Sequence, residues 1–329
     1  MASPHMRHDL LHGNIKLFAG TASPELSAEI SDYLGLPLCG RDIIEFTNDN
    51  LFVKLHASVR GQDCYVIQTT SIPVHRNLME LLIMVQTLRL DSAGRITVVV
   101  PYMCYGRSDR KDQPRVPITA RLVADLIQVA GADRYITMDL HAGQIQGFFS
   151  IPGDVLSAYH IIKPYLVKKN TSLHHPVMLT ADLGFAKTGR RYAQALNIPL
   201  AFIEKRRTDN KEKPEALTLI GDVADHDVIV IDDEIDTGGS MCEAVNIAKA
   251  AGAKEIYVVF IHPVLSATSI QRLVDLPVAE FVTTNTIPIT LERREKFGKR
   301  LTILSIGPLL AEVIRRANQG RSVGAMFNE

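Results

Sequence analysis

Residues 228–240 read Val-Ile-Val-Ile-Asp-Asp-Glu-Ile-Asp-Thr-Gly-Gly-Ser, and the predicted fold of the chain follows from this stretch. Its first four residues are β-branched and apolar, a run typical of a parallel strand that is buried on both faces. We expect this strand to stop at Asp232 and Asp233, and a helix to run over residues 241–251 and end at Gly252. A strand, an acidic and glycine-rich turn and a helix start predict an anion-binding site at the turn.

The turn between this strand and helix combines groups that suit a phosphate with groups that repel one. Two glycines allow backbone N–H groups and the helix N-terminus to face a phosphate, and two hydroxyl groups add donors. Paired carboxylates repel phosphate but suit the vicinal hydroxyls of a sugar, so the predicted ligand is a ribose that carries a 5-phosphate. The candidate residues are Asp232, Asp233, Asp236, Thr237, Gly238, Gly239 and Ser240. An ordinary βα turn, in which Asp and Gly are also common, stays open from this stretch alone.

The composition narrows the class of protein. The chain has 329 residues, of which 46% are hydrophobic, enough for two domains with sizeable cores. Its 36 basic residues balance 36 acidic ones and form no long basic block, so a nucleic acid is not expected as a partner. No apolar run approaches the roughly 18 residues of a membrane span. The four cysteines are scattered without a CxxC pair, which indicates a reducing, cytoplasmic location.

Strand-like and helical patterns alternate along the whole chain. The predicted strands are 15–19, 63–69, 95–101, 134–140, 177–181, 200–204, 228–231 and 256–261, and the predicted helices are 24–34, 77–90, 118–130, 187–196 and 241–251. This alternation predicts an α/β fold with mostly parallel sheets that are flanked by helices. One series of such units ends and the next begins between residues 155 and 165, where we expect a domain boundary. Ligands of such sheets lie beyond the carboxyl ends of the strands.

Cationic residues follow two of the predicted strands. Arg107, Arg110 and Lys111 suit a triphosphate, although a solvated charge run is the alternative. Lys205 and Arg207 open a polar stretch whose composition is that of a mobile loop, able to close over a site and to cancel charge on a transferring phosphoryl group. An exposed basic loop is the alternative there.

His141 follows another strand, two residues after Asp139, and is a candidate metal ligand. A lone histidine is more often a satisfied structural residue. The neighbouring carboxylate and the glycine-rich position favour the metal role.

Longer motifs carry a resemblance to a known family. They read Asn-Leu-Met-Glu-Leu-Leu-Ile-Met over 77–84, Tyr-Gly-Arg-Ser-Asp-Arg-Lys-Asp over 105–112 and Met-Asp-Leu-His-Ala-Gly-Gln-Ile-Gln-Gly-Phe-Phe over 138–149. Together with 228–240, they closely resemble the ribose-phosphate pyrophosphokinases. The resemblance implies that the chain transfers the β,γ-pyrophosphoryl group of ATP to the C1 hydroxyl of ribose 5-phosphate. Phosphoribosyl pyrophosphate and AMP are the implied products, the former used for nucleotide, histidine and tryptophan synthesis.

The resemblance also implies roles for individual residues. Lys205 and Arg207 are the implied catalytic residues, Arg207 also contacts ribose 5-phosphate, and His141 and Asp182 bind Mg²⁺. The implied ATP-binding residues are Phe46, Asn48, Asn50, Arg107, Ser108, Arg110 and His141.

The same resemblance implies two domains of the type I phosphoribosyltransferase kind, 12–157 and 158–309, with the tail 310–327 packed on the first. It further implies a homo-oligomer, a hexamer built from dimers. The tail residues 322–327 resemble a segment that helps to form an allosteric site for phosphate and ADP.

Two other functions remain to be weighed. A non-catalytic homologue that regulates active subunits predicts lost catalytic residues, yet Lys205, Arg207, His141 and Asp232 are present. A type I phosphoribosyltransferase shares the 228–240 motif but does not explain residues 105–154.

The chain departs from the family pattern at several positions. Ser108 stands where Gln is usual, Phe185 where the second of two glycines is usual, and Ser240 where Thr is usual. In the adenine-side loop, Asn50 replaces a carboxylate. A carboxylate there accepts from an amino group, whereas an amide both accepts and donates.

We predict that Asn50 relaxes the choice of nucleotide. Because a lost hydrogen bond costs on the order of 1 kcal/mol, and more when one partner is charged, Asn50→Glu should raise discrimination for ATP by roughly five- to a hundredfold. Relative kcat/KM values for ATP, GTP and CTP in both proteins measure this effect. Strict use of ATP by both proteins would show that the Asn50 amide still accepts through its oxygen.

Overall fold

A computed structural model describes residues 12–181, 184–206, 216–266 and 268–327, with the backbone alone at residues 205, 206 and 216. The chain divides into two compact units. The first contains the described residues up to Ser157 and those from Ile306 onward, and the second contains Ala158–Ser305. The predicted division between 309 and 310 falls within a helix of the first unit, Gly307–Asn318.

The regular elements are as follows. The strands are β1 (Ile15–Ala19), β2 (Arg41–Glu45), β3 (Leu51–Leu55), β4 (Asp63–Ile67), β5 (Arg95–Val100), β6 (Arg134–Met138), β7 (Gly153–Leu156), β8 (Val177–Thr180), β9 (Leu200–Arg206), β10 (Ala216–Ile220), β11 (Val228–Glu234), β12 (Ile256–His262), β13 (Glu280–Thr284) and β14 (Leu301–Leu304). The helices are α1 (Pro24–Leu34), α2 (Val74–Leu90), α3 (Thr119–Ala130), α4 (Tyr159–Asn170), α5 (Ala186–Leu196), α6 (Gly239–Ala250), α7 (Ser269–Val274), α8 (Leu291–Phe297) and α9 (Gly307–Asn318).

The first unit is built on a parallel sheet of five strands in the order β1-β4-β5-β6-β7. Every residue of β4 and β5 is buried, as expected of central strands covered on both faces. Leu81, Met84, Val85 and Leu88 of α2 are fully buried at helical spacing and belong to the apolar core of this unit. An antiparallel hairpin, β2–β3, forms a separate two-stranded sheet.

The second unit is built on a seven-stranded sheet in the order β10-β9-β8-β11-β12-β13-β14. All neighbours pair in parallel except β10, which runs antiparallel to β9. Residues Val228–Ile231 of β11 are 0% exposed, so the reading of this run as a doubly buried strand is confirmed. The predicted α/β fold, with two mostly parallel sheets flanked by helices, is also confirmed.

Several features differ from the sequence-based expectations, which also lacked β7, β10, β13, β14, α4, α7, α8 and α9. β11 does not stop at its carboxylates, because the backbone at Asp232 pairs with Phe260 and that at Glu234 with His262 of β12. Backbone pairing of this kind does not depend on side-chain charge. Helix α6 begins at Gly239, two residues before the predicted start. The β2–β3 hairpin was not predicted.

A buried ion pair joins α9 to strands β4 and β5 of the same unit. Arg95 at the start of β5 donates twice to the Asp63 carboxylate, at 2.8 and 2.6 Å, and Asp63 is 0% exposed. The same guanidinium donates to the Ala317 carbonyl at 3.1 Å, and the Asn318 amide donates to Asp63 at 2.9 Å. The cation therefore sits at the C-terminal end of α9, where the helix dipole favours positive charge.

None of the helices in the described part of the chain combines the length and apolar character needed to cross a lipid bilayer.

We predict that Asp63→Ala destabilises the protein by about 3–5 kcal/mol, because it leaves the Arg95 guanidinium buried without its carboxylate partner. Chemical denaturation followed by circular dichroism measures the loss. A matched control is Asp125→Ala, which breaks an exposed ion pair with Arg121 on α3 and should cost less than about 1 kcal/mol. Equal losses in the two variants would contradict the role of the buried pair.

Candidate active site

The end of β11 presents the paired carboxylates. Asp232 and Asp233 are each partly exposed, and each accepts a hydrogen bond from the N–H group of the next residue. The distances are 2.9 Å for Asp232 Oδ1 and 2.8 Å for Asp233 Oδ1. These bonds hold both carboxylates close to the backbone at the carboxyl edge of the sheet, where ligands of parallel sheets bind.

Backbone hydrogen bonds hold the turn after β11 to the segment after β12. The Ile235 N–H donates to the His262 carbonyl at 3.1 Å, and the Ile235 carbonyl accepts from the Leu265 N–H at 2.8 Å. The Asp236 carbonyl accepts from the Ser266 N–H at 3.1 Å. The turn is therefore held by long-range backbone contacts within the second unit.

Gly238 ends the turn in a left-handed conformation, with φ of 77°, and precedes α6 as its N-cap. An added Cβ would meet Leu273 at 3.6 Å, an ordinary contact, so the backbone conformation rather than crowding favours glycine here. Gly238 has no side chain that could cap this helix end, and Thr237 and Ser240 are exposed beside it. The structure thus brings the seven candidate residues between Asp232 and Ser240 together around the N-terminus of a 12-residue helix.

The two catalytic candidates, Lys205 and Arg207, lie at the end of the described segment 184–206 and just beyond it. Lys205 belongs to β9, where its backbone pairs with Leu217 of β10. The expectation that it follows a strand ending at Glu204 is therefore wrong, because the antiparallel partner β10 extends the pairing through Arg206. Arg207, the polar stretch 208–215 and Asp182 lie outside the described residues.

In the first unit, the loop after β5 lies beside the loop after β6. A Cβ added to Gly106 would lie 3.3 Å from the Cβ of His141, so these two backbones approach closely. The Gln144 amide donates to the Asp109 carboxylate and joins the loops a second time. Arg107, Arg110 and His141 are exposed, and the N–H of Ser108, which is partly exposed, donates to the Tyr105 carbonyl at 2.9 Å.

The candidate metal ligand of this unit is His141, and Asp139 precedes it by two residues. The Asp139 carboxylate accepts from the Ser157 hydroxyl at 2.9 Å, and its own N–H donates to the Leu156 carbonyl. In the part of the chain that the structure describes, no three His, Cys, Asp or Glu side chains form a group that could hold a metal ion.

Phe46, Asn48 and Asn50 lie in the exposed turn of the β2–β3 hairpin. The Phe46 N–H donates to the Asn50 carbonyl at 2.8 Å, and the Asn48 side chain accepts from the Asn50 N–H at 3.3 Å. A cavity of about 840 Å³ lies between this turn and the start of α2. It is lined by Glu45, Asp49, Asn50, Leu51, Pro73, Val74, His75, Arg76, Met79 and Ile83.

Sequence reasoning missed the charged residues beside this cavity. Arg76 donates to Glu45 at 2.7 Å and to the fully buried Glu80 at 2.8 Å, and the hydrogen bond to Glu45 raises the pKa of Arg76. Glu80 lies four residues after Arg76 on the same helix, a spacing that the sequence does show. The contact with Glu45 has no local signal, because Glu45 lies on β2, 31 positions away.

Comparison with known proteins shows the family. Residues 15–131 match the model of the N-terminal domain of ribose phosphate pyrophosphokinase, and residues 203–328 match the phosphoribosyl synthetase-associated domain. A ribose-phosphate pyrophosphokinase of Wolinella succinogenes is 42% identical over 95% of this chain and 98% of its own length. One from Helicobacter pylori is 43% identical over 95% of this chain and 96% of its own length.

A crystal structure of phosphoribosylpyrophosphate synthetase from Mycobacterium smegmatis is similar to this structure, with a TM-score of 0.88 and 40% identity. The match covers 93% of this chain and 99% of the other. The fold, the turns at the strand ends and the matches to known proteins together define the class of protein. It is an α/β transferase of the kinase type. The chain belongs to the ribose-phosphate pyrophosphokinase family.

Proposed function

We propose that this chain transfers the β,γ-pyrophosphoryl group of ATP to the C1 hydroxyl of ribose 5-phosphate and releases AMP. The single observation that carries the proposal is the turn from Asp232 to Ser240, where paired carboxylates adjoin a left-handed glycine that is the N-cap of a 12-residue helix. The family adds the reaction type, because its curated members are named ribose-phosphate pyrophosphokinases.

Ribose 5-phosphate is assigned to this turn in the second unit. Backbone N–H groups at the start of α6, with the Thr237 and Ser240 hydroxyls, suit the 5-phosphate. Asp232 and Asp233 suit the ribose hydroxyls, since a carboxylate accepts hydrogen bonds but repels phosphate.

ATP is assigned to the first unit. Arg107 and Arg110 are exposed cations that suit the triphosphate, and Ser108 lies between them. The turn with Phe46, Asn48 and Asn50 offers an aromatic ring and two amides, which suit a nucleobase.

Mg²⁺ is the proposed metal, held by His141 and Asp182. A site with few protein ligands suits Mg²⁺, which fills its remaining positions with water and substrate phosphate. Of the two proposed ligands, His141 is described and Asp182 lies outside the described residues. His141 is exposed and lies two residues after Asp139, beside the loop of Arg107. This position supports its role as a Mg²⁺ ligand near the triphosphate. When bound, Mg²⁺ would neutralise part of the triphosphate charge.

Catalysis in this proposal is positioning and electrostatic stabilisation. The C1 hydroxyl attacks the β-phosphorus in line with the departing AMP oxygen. By their position in the family pattern, Lys205 and Arg207 supply positive charge where negative charge develops in the transition state, and each such group is worth a few kcal/mol.

The family likeness also supports assembly into a homo-oligomer, a hexamer built from dimers, and regulation by phosphate and ADP through residues 322–327. In the described part of this tail, Gly324–Met326 forms a short 3₁₀ helix that follows α9.

A coupled assay tests the proposal. The protein is incubated with ribose 5-phosphate, Mg²⁺ and ATP, and AMP and phosphoribosyl pyrophosphate are measured in equal amounts. Omitting ribose 5-phosphate is the control for simple ATP hydrolysis. No product above this control would leave the non-catalytic regulatory homologue as the better description.

We predict that Lys205→Ala lowers kcat by roughly a hundredfold or more while both substrates bind with near-normal affinity, because the lysine acts on charge present mainly in the transition state. Steady-state kinetics and binding titrations separate the two effects. An unchanged kcat would remove Lys205 from the mechanism.

Asp232→Asn should weaken ribose 5-phosphate much more than ATP, because the carboxylate is proposed to accept from the sugar hydroxyls. The expected loss is roughly tenfold or more, the cost of replacing a charged acceptor by a neutral one. Isothermal titration with each substrate measures it. Equal losses for both substrates would indicate a structural or metal role.

A further inference from the structure

The first turn of α2 carries a charged network that includes none of the residues assigned to the active site above. Arg76 Nε donates to Glu45 Oε2 at 2.7 Å, while its Nη1 donates to Glu80 Oε2 at 2.8 Å and to the Thr21 hydroxyl at 2.8 Å. Glu80 is 0% exposed and also accepts from the Thr21 N–H at 2.6 Å. One guanidinium thus joins an exposed carboxylate to a buried one.

The exposed partner, Glu45, is the last residue of β2 and directly precedes the Phe46–Asn50 turn. Its side chain is 44% exposed, a position at which a long acidic side chain ordinarily samples several rotamers. Arg76 holds the Glu45 side chain in one position. It thereby connects the end of the hairpin nearest the turn to the buried carboxylate of Glu80. The adjacent Phe46 ring is 50% exposed, so the turn has little burial of its own to hold it.

His75, which precedes Arg76 on α2, contacts the other segment to which ATP is assigned, the loop after β5 that carries Arg107. His75 Nε2 and the Tyr105 hydroxyl form a hydrogen bond at 2.8 Å, and their rings lie nearly parallel with centroids 6.5 Å apart. Tyr105 has a φ of 59°, and its carbonyl accepts from the Ser108 N–H at 2.9 Å. The His75 contact therefore bears on the conformation of the loop that carries Arg107.

These contacts meet at one cavity. Glu45, Asn50, His75 and Arg76 all line the space of about 840 Å³ between the hairpin turn and α2. Consecutive residues of one helical turn thus support the two segments to which ATP is assigned.

We propose that His75 and Arg76 are positioning residues for the nucleotide. Arg76 sets the Phe46–Asn50 turn through Glu45, and His75 sets the Arg107 loop through Tyr105. The inference rests on the proposed function, because it takes these two segments to be the ones that bind ATP.

The physical consequence is pre-organisation. A segment that is already held in its bound conformation loses less conformational entropy when the ligand binds, so removing the support weakens the ligand without changing its contacts. ATP affinity should fall. Ribose 5-phosphate affinity and kcat at saturating ATP should not change, since the lost interaction is made equally in the ground state and the transition state.

Titration calorimetry with ATP and Mg²⁺ alone tests this without turnover. We expect roughly three- to tenfold weaker ATP binding for Glu45→Ala and for Tyr105→Phe, the range for losing a half-exposed ion pair or one hydrogen bond. The two losses should multiply in the double variant. Glu45→Gln keeps an acceptor oxygen for Arg76 and should retain most of the affinity.

The matched control is Asp42→Ala. Asp42 lies on the same hairpin and pairs with His56 at 2.9 Å, with side chains 46% and 49% exposed, but it sits at the end away from the turn. Its ATP affinity should stay within about twofold of the wild type, the effect of an exposed pair that touches no binding segment.

Four results would overturn the inference. Unchanged ATP affinity in both Glu45→Ala and Tyr105→Phe would show that neither contact positions the nucleotide. Equal weakening of ATP and ribose 5-phosphate, or an equal effect in Asp42→Ala, would indicate a general structural role. Failure of the wild-type protein to bind ATP would overturn the proposed function and this inference with it.

Discussion

The parallel pairing of β11 with β8 and β12 is the constraint on which the second unit depends. Because the strands run in the same direction, their carboxyl ends meet at one edge of the sheet, and helices must cover both faces. Val228–Ile231, at 0% exposure, hold the centre of that sheet by burial worth roughly 1.5–3 kcal/mol per side chain. The carboxylates and glycines that follow are thereby placed at an edge where polar groups remain accessible.

The turn after β11 is held by hydrogen bonds to a distant part of the sequence. Its carbonyl and N–H groups are bonded to His262 at the end of β12 and to Leu265 and Ser266 just after it. Gly238 then adopts a left-handed conformation as the N-cap of α6, and it has no side chain to accept from the first N–H groups of the helix. The proposed anion site follows from this geometry, since a helix start carries partial positive charge.

In the first unit, a buried ion pair holds the C-terminal helix α9 against the sheet. Arg95 and Asp63 at the start of neighbouring strands hold the end of α9, and the Tyr65 hydroxyl contacts both Asp63 and the Ile314 carbonyl. Burial, followed by the nearby Asp63 charge, raises the pKa of Tyr65, so the hydroxyl remains a neutral donor. Such a network favours one arrangement of its partners, because each misplaced group would leave a buried charge unpaired.

The sequence by itself determined the buried strand at 228–231, the ends of the helices predicted over 24–34 and 118–130, the parallel architecture and the residue types of the Asp232–Ser240 turn. These depend on local patterns, namely β-branched runs, helical periodicity and left-handed glycines. Tertiary structure decided that β11 continues to Glu234 and β9 through Lys205, since each strand extends as far as its neighbour offers backbone partners. It also decided the Arg76–Glu45 contact across 31 positions and the Arg95–Ala317 contact across 222. No local pattern records such pairs, because the energy that forms them exists only once the fold has brought the groups together.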